Sequence, residues 1–155
     1  MQNRRRQRLA AWLLAIGMVG GGAFGGVLTG MAHAQTPAPY QPKFPGDPAK
    51  SESEAQALAY MRVVLRAEHQ YKKRHDKYAE SLASLAGTGT FTRRMAKSTE
   101  RGDYTVGFRP HKDGFILTMT PKQMDAEHRS FYAEEDGVIH GDDQKAADES
   151  SAKVR

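Results

Sequence analysis

An uncharged run near the N-terminus limits which residues can join a folded domain. No charged residue occurs between Leu9 and Met31, and four arginines precede the run. A small-x-small site follows at Ala32-His33-Ala34. A basic segment, an apolar run and such a site are typical of a secretory signal peptide. We therefore predict a signal peptide over residues 1–34, Sec-type export with cleavage before Gln35, and a periplasmic or extracellular location.

The same run allows an alternative. About 20 apolar residues can span a bilayer as a helix, so an uncleaved inner-membrane anchor is physically allowed. Gly17, Gly21 and Gly25 recur every four residues, a spacing that lets membrane helices approach closely. Gly is also a poor helix former, costing about 1 kcal/mol relative to Ala. The composition therefore favours cleavage while leaving retention open.

The leader carries most of the net charge. The chain has 23 Lys and Arg against 18 Asp and Glu, a formal net charge of +5. Four of these bases lie within residues 1–34, which contain no acid, so the rest of the chain is nearly neutral. Overall charge therefore gives no argument for binding nucleic acid or anionic lipid. The chain has no cysteine, so its stability must come from a core without disulfides.

Charges after the leader are segregated along the chain. Bases dominate residues 62–101, and acids dominate residues 125–149. The favoured interpretation is that these two regions partly neutralise each other, within one molecule or between molecules. A basic docking patch on the first region is the alternative.

Composition divides the exported part into three segments. Residues 35–50 hold five prolines, which predicts an extended Pro-rich linker. Residues 142–155 are polar and charged, which predicts a disordered tail. Residues 51–141 remain as one domain, near the lower end of independently stable sizes.

Two helices are predicted at the start of this domain. Ser51 and Glu54 match the capping box, in which each side chain satisfies a backbone N–H of the first turn. Apolar residues at three- and four-residue steps then predict a helix from about Glu52 to His75. A second short helix is predicted over residues 79–86, ending at Gly87.

The period changes in the second half. Tyr104, Val106 and Phe108 alternate with polar or small residues, as do Phe115, Leu117 and Met119 after a turn within residues 109–114. Phe131-Tyr132 and Val138-Ile139 flank Glu134-Glu135-Asp136-Gly137, which predicts a hairpin. The sequence therefore predicts an α+β fold, with a long N-terminal helix and a short helix packed on a small four-stranded antiparallel β-meander.

These segments resemble a known family. Residues 65–85, LRAEHQYKKRHDKYAESLASL, are similar to the helix and following loop of type IV pilin-like and type II secretion pseudopilin domains. The family's spaced aromatic and leucine positions are present at Tyr71, Tyr78, Leu82 and Leu85. Asp76 and Ala79 stand where that family usually has Gly and Pro. The segments DYTVGF, DGFILTMTP and HRSFYAEEDGVIH resemble its strands and closing hairpin, so the resemblance covers about residues 53–140.

The N-terminus departs from that family. Assembling pilins keep a hydrophobic N-terminal helix with a Glu five residues in, whereas residues 1–34 contain no Glu and TPAPYQP follows them. The resemblance therefore concerns the globular head alone. It implies a non-catalytic, exported interaction module, an accessory of a secretion or type IV filament apparatus in the bacterial envelope. The resemblance implies that the partners are other envelope or apparatus proteins. It also implies that this chain has no enzymatic activity and needs no cofactor.

Candidate site residues follow from the charge pattern. Partner binding is predicted at exposed charges of both signs: Lys72, Lys73, Arg74, Arg93, Arg94, Glu134 and Glu135. The alternative function is binding of nucleic acid or another polyanion through the basic helix face, which adds Arg62, Arg66 and Lys97, beside Tyr71 and Tyr78.

Metal binding has one weak candidate. Asp125, Glu127, Glu134 and Asp136 could supply oxygens to Ca²⁺, which takes six to eight of them. A solvated acidic turn is the competing interpretation. The histidines offer no pair at a His-x-x-x-His spacing, so no zinc site is predicted.

Overall fold

The computed structural model describes residues 39–155 and confirms the α+β class. Two helices precede six strands. The helices are α1 (Glu52–His75) and α2 (Arg93–Lys97). The strands are β1 (Glu100–Arg101), β2 (Tyr104–His111), β3 (Gly114–Pro121), β4 (Ser130–Ala133), β5 (Ile139–Asp142) and β6 (Ala152–Lys153). The predicted signal peptide over residues 1–34 lies outside the described residues.

Helix α1 begins and ends where the sequence predicted. The Ser51 hydroxyl accepts the Glu54 N–H at 3.2 Å, which is one half of the predicted capping box. The other half differs, because the Glu54 carboxylate accepts the N–H of Lys50 rather than that of Ser51. At the other end, Asp76 adopts the left-handed region (φ 57°), and its N–H closes on the Lys72 carbonyl at 2.8 Å. Asp tolerates this conformation better than most residues do, so the helix ends here without Gly.

The predicted second helix over residues 79–86 is wrong. This stretch forms successive turns, with N–H groups closing on carbonyls three residues back, as from Leu85 to Leu82. Gly87 and Gly89 follow with positive φ. The second helix is instead α2, five residues long and capped by the Thr92 hydroxyl, which accepts the Met95 N–H at 3.2 Å.

The strands form one antiparallel meander in the order β1-β2-β3-β4-β5-β6. The predicted pairings are present, with Val106 opposite Met119 and Tyr132 opposite His140. Strand β2 runs through Pro110 to His111, so the predicted turn is shorter than residues 109–114. The Val106 N–H donates to the Thr99 carbonyl, on the side of β2 that faces away from β3. Backbone N–H groups of a strand alternate between its two sides, so the Pro110 nitrogen, four residues on, also faces away from β3. Proline lacks an N–H and is tolerated on such an open edge.

The described part of the predicted linker and the predicted tail both pack on the domain. Residues 39–50 contain no helix or strand, as expected of a linker, yet Ala49 is buried and Tyr40 packs against the core. The predicted disorder of residues 142–155 is wrong. They bury Ala147 and supply β6, and the Val154 N–H donates to the Ile139 carbonyl at 2.8 Å. The polar composition of residues 142–155 gave no sign of β6, because a short edge strand needs few apolar contacts.

The core lies between α1 and one face of the sheet. Helix α1 contributes Leu58, Met61 and Val64, all fully buried, and β3 contributes Phe115, Leu117 and Met119, which are equally enclosed. Each such side chain contributes about 1.5–3 kcal/mol relative to an exposed one. Among residues 39–155, no helix combines the length and apolarity needed to cross a bilayer.

Candidate functional site

The end of α1 forms one wall of a groove. Together with the loop after α1, the start of β3 and the β4–β5 turn, it encloses a cavity of about 530 Å³. We call this cavity the Glu68 groove. Its lining side chains are Glu68, His69, Lys72, Lys73, Tyr78, Phe115 and Glu135. Three residues predicted to bind a partner, Lys72, Lys73 and Glu135, therefore meet at one place although the last is 62 positions from Lys73 in sequence.

Glu68 is the buried acid of this groove. Its residue is 1% exposed, and its Oε2 accepts the Ala79 N–H at 3.1 Å. Its Oε1 is buried and has no hydrogen-bond partner among the described residues. Burial raises the pKa of Glu68 to about 7, and the bond from Ala79 opposes part of that rise. A carboxyl held this way stays partly protonated near neutral pH.

Aromatic rings form the apolar side of the groove. The Tyr78 ring meets the Phe115 ring edge-on, with centroids 5.4 Å apart. The Lys72 Nζ lies 4.2 Å from the Tyr78 centroid, within range of a cation–π interaction. The Ala79 N–H bond to Glu68 fixes the loop that carries Tyr78. The groove thus joins charged groups of both signs to an aromatic wall.

The bases of α1 and α2 share an electrostatic feature. We call these eight residues the helical cations: Arg62, Arg66, Lys72, Lys73, Arg74, Arg93, Arg94 and Lys97. Within residues 39–155, none of them lies within 4.0 Å of a carboxylate oxygen in an ion pair. The two helices are linked, since the Tyr60 hydroxyl of α1 donates to the Met95 carbonyl of α2 at 3.3 Å.

The bases of α2 border a second, smaller depression. Arg93 and Lys97 line a cavity of about 360 Å³ with Ala83, Ala86 and Ala96. Arg94 is exposed beside them. The predicted site residues of α2 are therefore separate from the Glu68 groove, whose lining they do not join. Neither Arg74 nor Glu134 lines the groove either.

The acids of the β4–β5 turn differ in how far they are engaged. The Tyr132 hydroxyl donates to Glu134, and Asp136 accepts the Val138 N–H at 2.9 Å. Glu135 lies 3.7 Å from the His111 Nε2 and keeps 37% of its side chain exposed. Glu135 and Asp136 are both exposed, and Glu135 is the acid of this turn that lines the Glu68 groove.

The calcium candidates occupy two separate loops. Asp125 and Glu127 lie between β3 and β4, whereas Glu134 and Asp136 lie between β4 and β5. Asp125 accepts the Glu127 N–H at 2.8 Å and contacts the His128 Nδ1 at 2.8 Å, and the His128 bond is the main cause that lowers the Asp125 pKa. In the described part of the chain, no three His, Asp or Glu side chains gather as metal ligands.

Sequence reasoning missed the role of two glutamates. Glu54 was assigned to the helix cap, whereas its buried carboxylate pairs with Arg129. Glu68 received no role from the sequence pattern, although it lies on the buried face of α1. Its position on the buried helix face was the available signal, because a buried acid needs a partner or a shifted pKa.

Comparison with known proteins adds no relative. No protein-family model, curated protein or solved structure matches this chain. Function must therefore be inferred from the residues themselves and from their placement.

Proposed function

We propose that this chain is a non-catalytic docking module of the bacterial envelope, a pilin-like head carried on a different N-terminus. In this proposal it serves as an accessory of a secretion or type IV filament apparatus and binds other proteins of the envelope. The observation that carries the proposal is that the helical cations lack acidic partners within the described domain.

Internal neutralisation does not account for the charge segregation. Some ion pairs of the described residues are local, such as Lys77 with Glu80, and others join distant segments, such as Lys50 with Asp143. None of them joins a base of residues 62–101 to an acid of residues 125–149. Lys72, Lys73 and Glu135 line one groove without a direct ion pair, so these charges remain available to a partner of complementary charge, which supports the docking interpretation.

Two exposed charge sets would meet a partner of complementary charge. The helical cations would face an acidic surface, and Glu135 would face a basic one. Complementary potentials speed encounter and exclude wrong partners more than they add affinity. Such a module needs no reactive residue, since positioning a partner is its whole task.

The order of elements supports the pilin-like part of the proposal. A 24-residue helix precedes an antiparallel meander and packs on its third strand. Asp76 ends that helix in the left-handed conformation at the position where the resembling family has Gly. The turns over residues 79–86 and the later α2 are departures from that frame.

Site-specific cross-linking in intact cells tests this proposal. A photoreactive amino acid replaces Arg74 or Arg94 in the full chain, and matched control chains carry it at the exposed Lys112. We expect cross-links from the two helix positions to the same acidic envelope protein. Identical cross-linking from Lys112 would contradict a docking role for the helices.

A further inference from the structure

The unpartnered oxygen of Glu68 indicates that the groove binds a ligand. A buried polar atom without a hydrogen-bond partner costs about 1–3 kcal/mol, and such atoms are uncommon in folded proteins. Glu68 lines an open cavity of about 530 Å³, a volume in the range of small-molecule sites. Oε1 has almost no accessible surface, so a donor in the cavity reaches it only when the carboxyl turns toward the cavity, and a cationic donor would then bind it most strongly.

Acids and bases share the lining of the groove. Glu135 and the partly protonated Glu68 are the acids, and Lys72 and Lys73 are the bases. A purely anionic ligand would meet the carboxylates, and a purely cationic ligand would meet the lysines. A ligand with one ammonium and one carboxylate can satisfy both signs at once.

The aromatic wall supplies the third requirement. Tyr78 and Phe115 lie together at the groove, and Lys72 is held over the Tyr78 ring. Phe115 is buried and supports Tyr78 edge-on, so the half-buried Tyr78 ring is the aromatic surface that a ligand's apolar side chain can meet. His69 completes the lining.

We propose that the Glu68 groove binds a zwitterion with an apolar side chain, either a free α-amino acid or a short peptide. The Glu68 carboxyl turns toward the cavity and accepts the ligand's ammonium, the ligand's carboxylate pairs with Lys72 and Lys73, and its side chain packs on Tyr78. This site shares Lys72 and Lys73 with the helical cations, and it goes beyond the docking function because its ligand is a small zwitterion held through Glu68.

Isothermal titration calorimetry of the full chain tests the site. The probes are L-phenylalanine and the dipeptide Phe-Gly, and the matched controls are N-acetyl-L-phenylalanine, which lacks the ammonium, and phenethylamine, which lacks the carboxylate. We expect at least one probe to bind, and each control to bind at least about tenfold more weakly. Binding of the amino acid assigns the ligand to free amino acids, and binding of the dipeptide alone assigns it to peptides.

Glu68→Gln supplies the second readout. Glutamine keeps an acceptor for the Ala79 N–H but removes the charge, so we expect affinity to fall at least about tenfold. Because an ammonium favours the ionised carboxyl, binding near pH 7 should release a proton, so the measured heat should depend on the buffer's ionisation enthalpy. That dependence should vanish in Glu68→Gln and persist in Glu80→Gln, an exposed control.

Two results would overturn the proposal. One is the absence of binding by both probes at millimolar concentration. The other is binding that Glu68→Gln or N-acetylation leaves unchanged. The helical cations remain in place in Glu68→Gln, so its cross-linking from Arg74 and Arg94 reports on docking separately.

Discussion

Glu54 and Arg129, 75 residues apart in sequence, form a buried ion pair that joins the start of α1 to the chain entering β4. The Glu54 carboxylate is fully buried and accepts Arg129 Nε at 3.0 Å, Nη2 at 2.8 Å and the Arg129 backbone N–H at 2.8 Å. Arg129 Nη2 also donates to the Pro48 carbonyl at 2.7 Å. The pair thus ties the end of the predicted linker, the helix start and the sheet together.

Breaking this pair should destabilise the domain strongly. We expect Glu54→Ala or Arg129→Ala to lower the free energy of unfolding by about 3–5 kcal/mol, because each leaves a buried charge without its partner. Urea denaturation measures this. The double variant should lose less than the sum of the single losses.

An exposed ion pair serves as the control for the Glu54 and Arg129 variants. Lys43 and Glu52 lie 2.7 Å apart with about half of each side chain exposed. We expect Lys43→Ala to cost less than about 1 kcal/mol. A similar loss at both pairs would contradict the special role of Glu54 and Arg129.

Glu68 should make stability depend on pH. Because burial raises its pKa to about 7, the folded state binds this proton more tightly than the unfolded state does. Its contribution is fully present below the unfolded pKa and is lost as pH rises through about 7. Relative to the wild type, Glu68→Gln should therefore gain stability with rising pH, by up to about 3 kcal/mol by pH 8.

Chemical denaturation at a series of pH values checks this difference. All other titrating groups are common to the two proteins, so their contributions cancel to first order. A stability difference that stays constant from pH 4 to pH 8 would show that the Glu68 pKa is not raised by folding.

The C-terminal strand should depend on Gly141. A Cβ at this position would lie 2.9 Å from Val154 Cγ2 and 3.3 Å from the Phe131 ring. We expect Gly141→Ala to cost about 1–3 kcal/mol and to expose the Val154 N–H to hydrogen exchange. The double variant Gly141→Ala/Val154→Ala should recover part of the stability. Unchanged exchange at Val154 would contradict the contact.

Salt dependence separates protein docking from polyanion binding. If the helical cations bound phosphate groups, affinity for a short DNA duplex would fall steeply with salt, with a logarithmic slope near −0.9 for each phosphate neutralised. We expect no binding to such a duplex at physiological salt. Fluorescence anisotropy measures it, and salt-sensitive binding would favour the polyanion alternative.

Local patterns were sufficient to predict α1 and the central strands. The stripe of Leu58, Met61 and Val64 and the alternation of Phe115, Leu117 and Met119 each encode one buried face. The turns at residues 79–86 were mistaken for a helix because Leu82 and Leu85 fit either period in so short a stretch. The Glu68 carboxylate accepts the Ala79 N–H at the start of this stretch. Local sequence patterns cannot predict such a tertiary contact.

The candidate site was predictable only as separate pieces. Lys72, Lys73 and Glu135 were each singled out by charge, but their meeting at one groove depends on the packing of α1 beside the β4–β5 turn. Phe115 was assigned to the core alone because an aromatic residue on a buried face fits the core pattern, whereas the position of Glu68 on such a face was a signal that went unused. The Glu54–Arg129 pair was hidden by sequence distance.

Charge reversal on α1, compared with a control variant of equal net charge, tests the proposed docking function most directly. The tagged full chain is compared in its native cells with Lys72→Glu/Lys73→Glu/Arg74→Glu and with the control Lys112→Glu/Lys122→Glu/Lys153→Glu, which has the same net charge. Quantitative mass spectrometry after cross-linking measures the envelope proteins recovered. We expect the control and the wild type to recover the same amount of the same partner. The helix variant should recover at least about tenfold less of it. Equal recovery by all three chains would contradict the docking function.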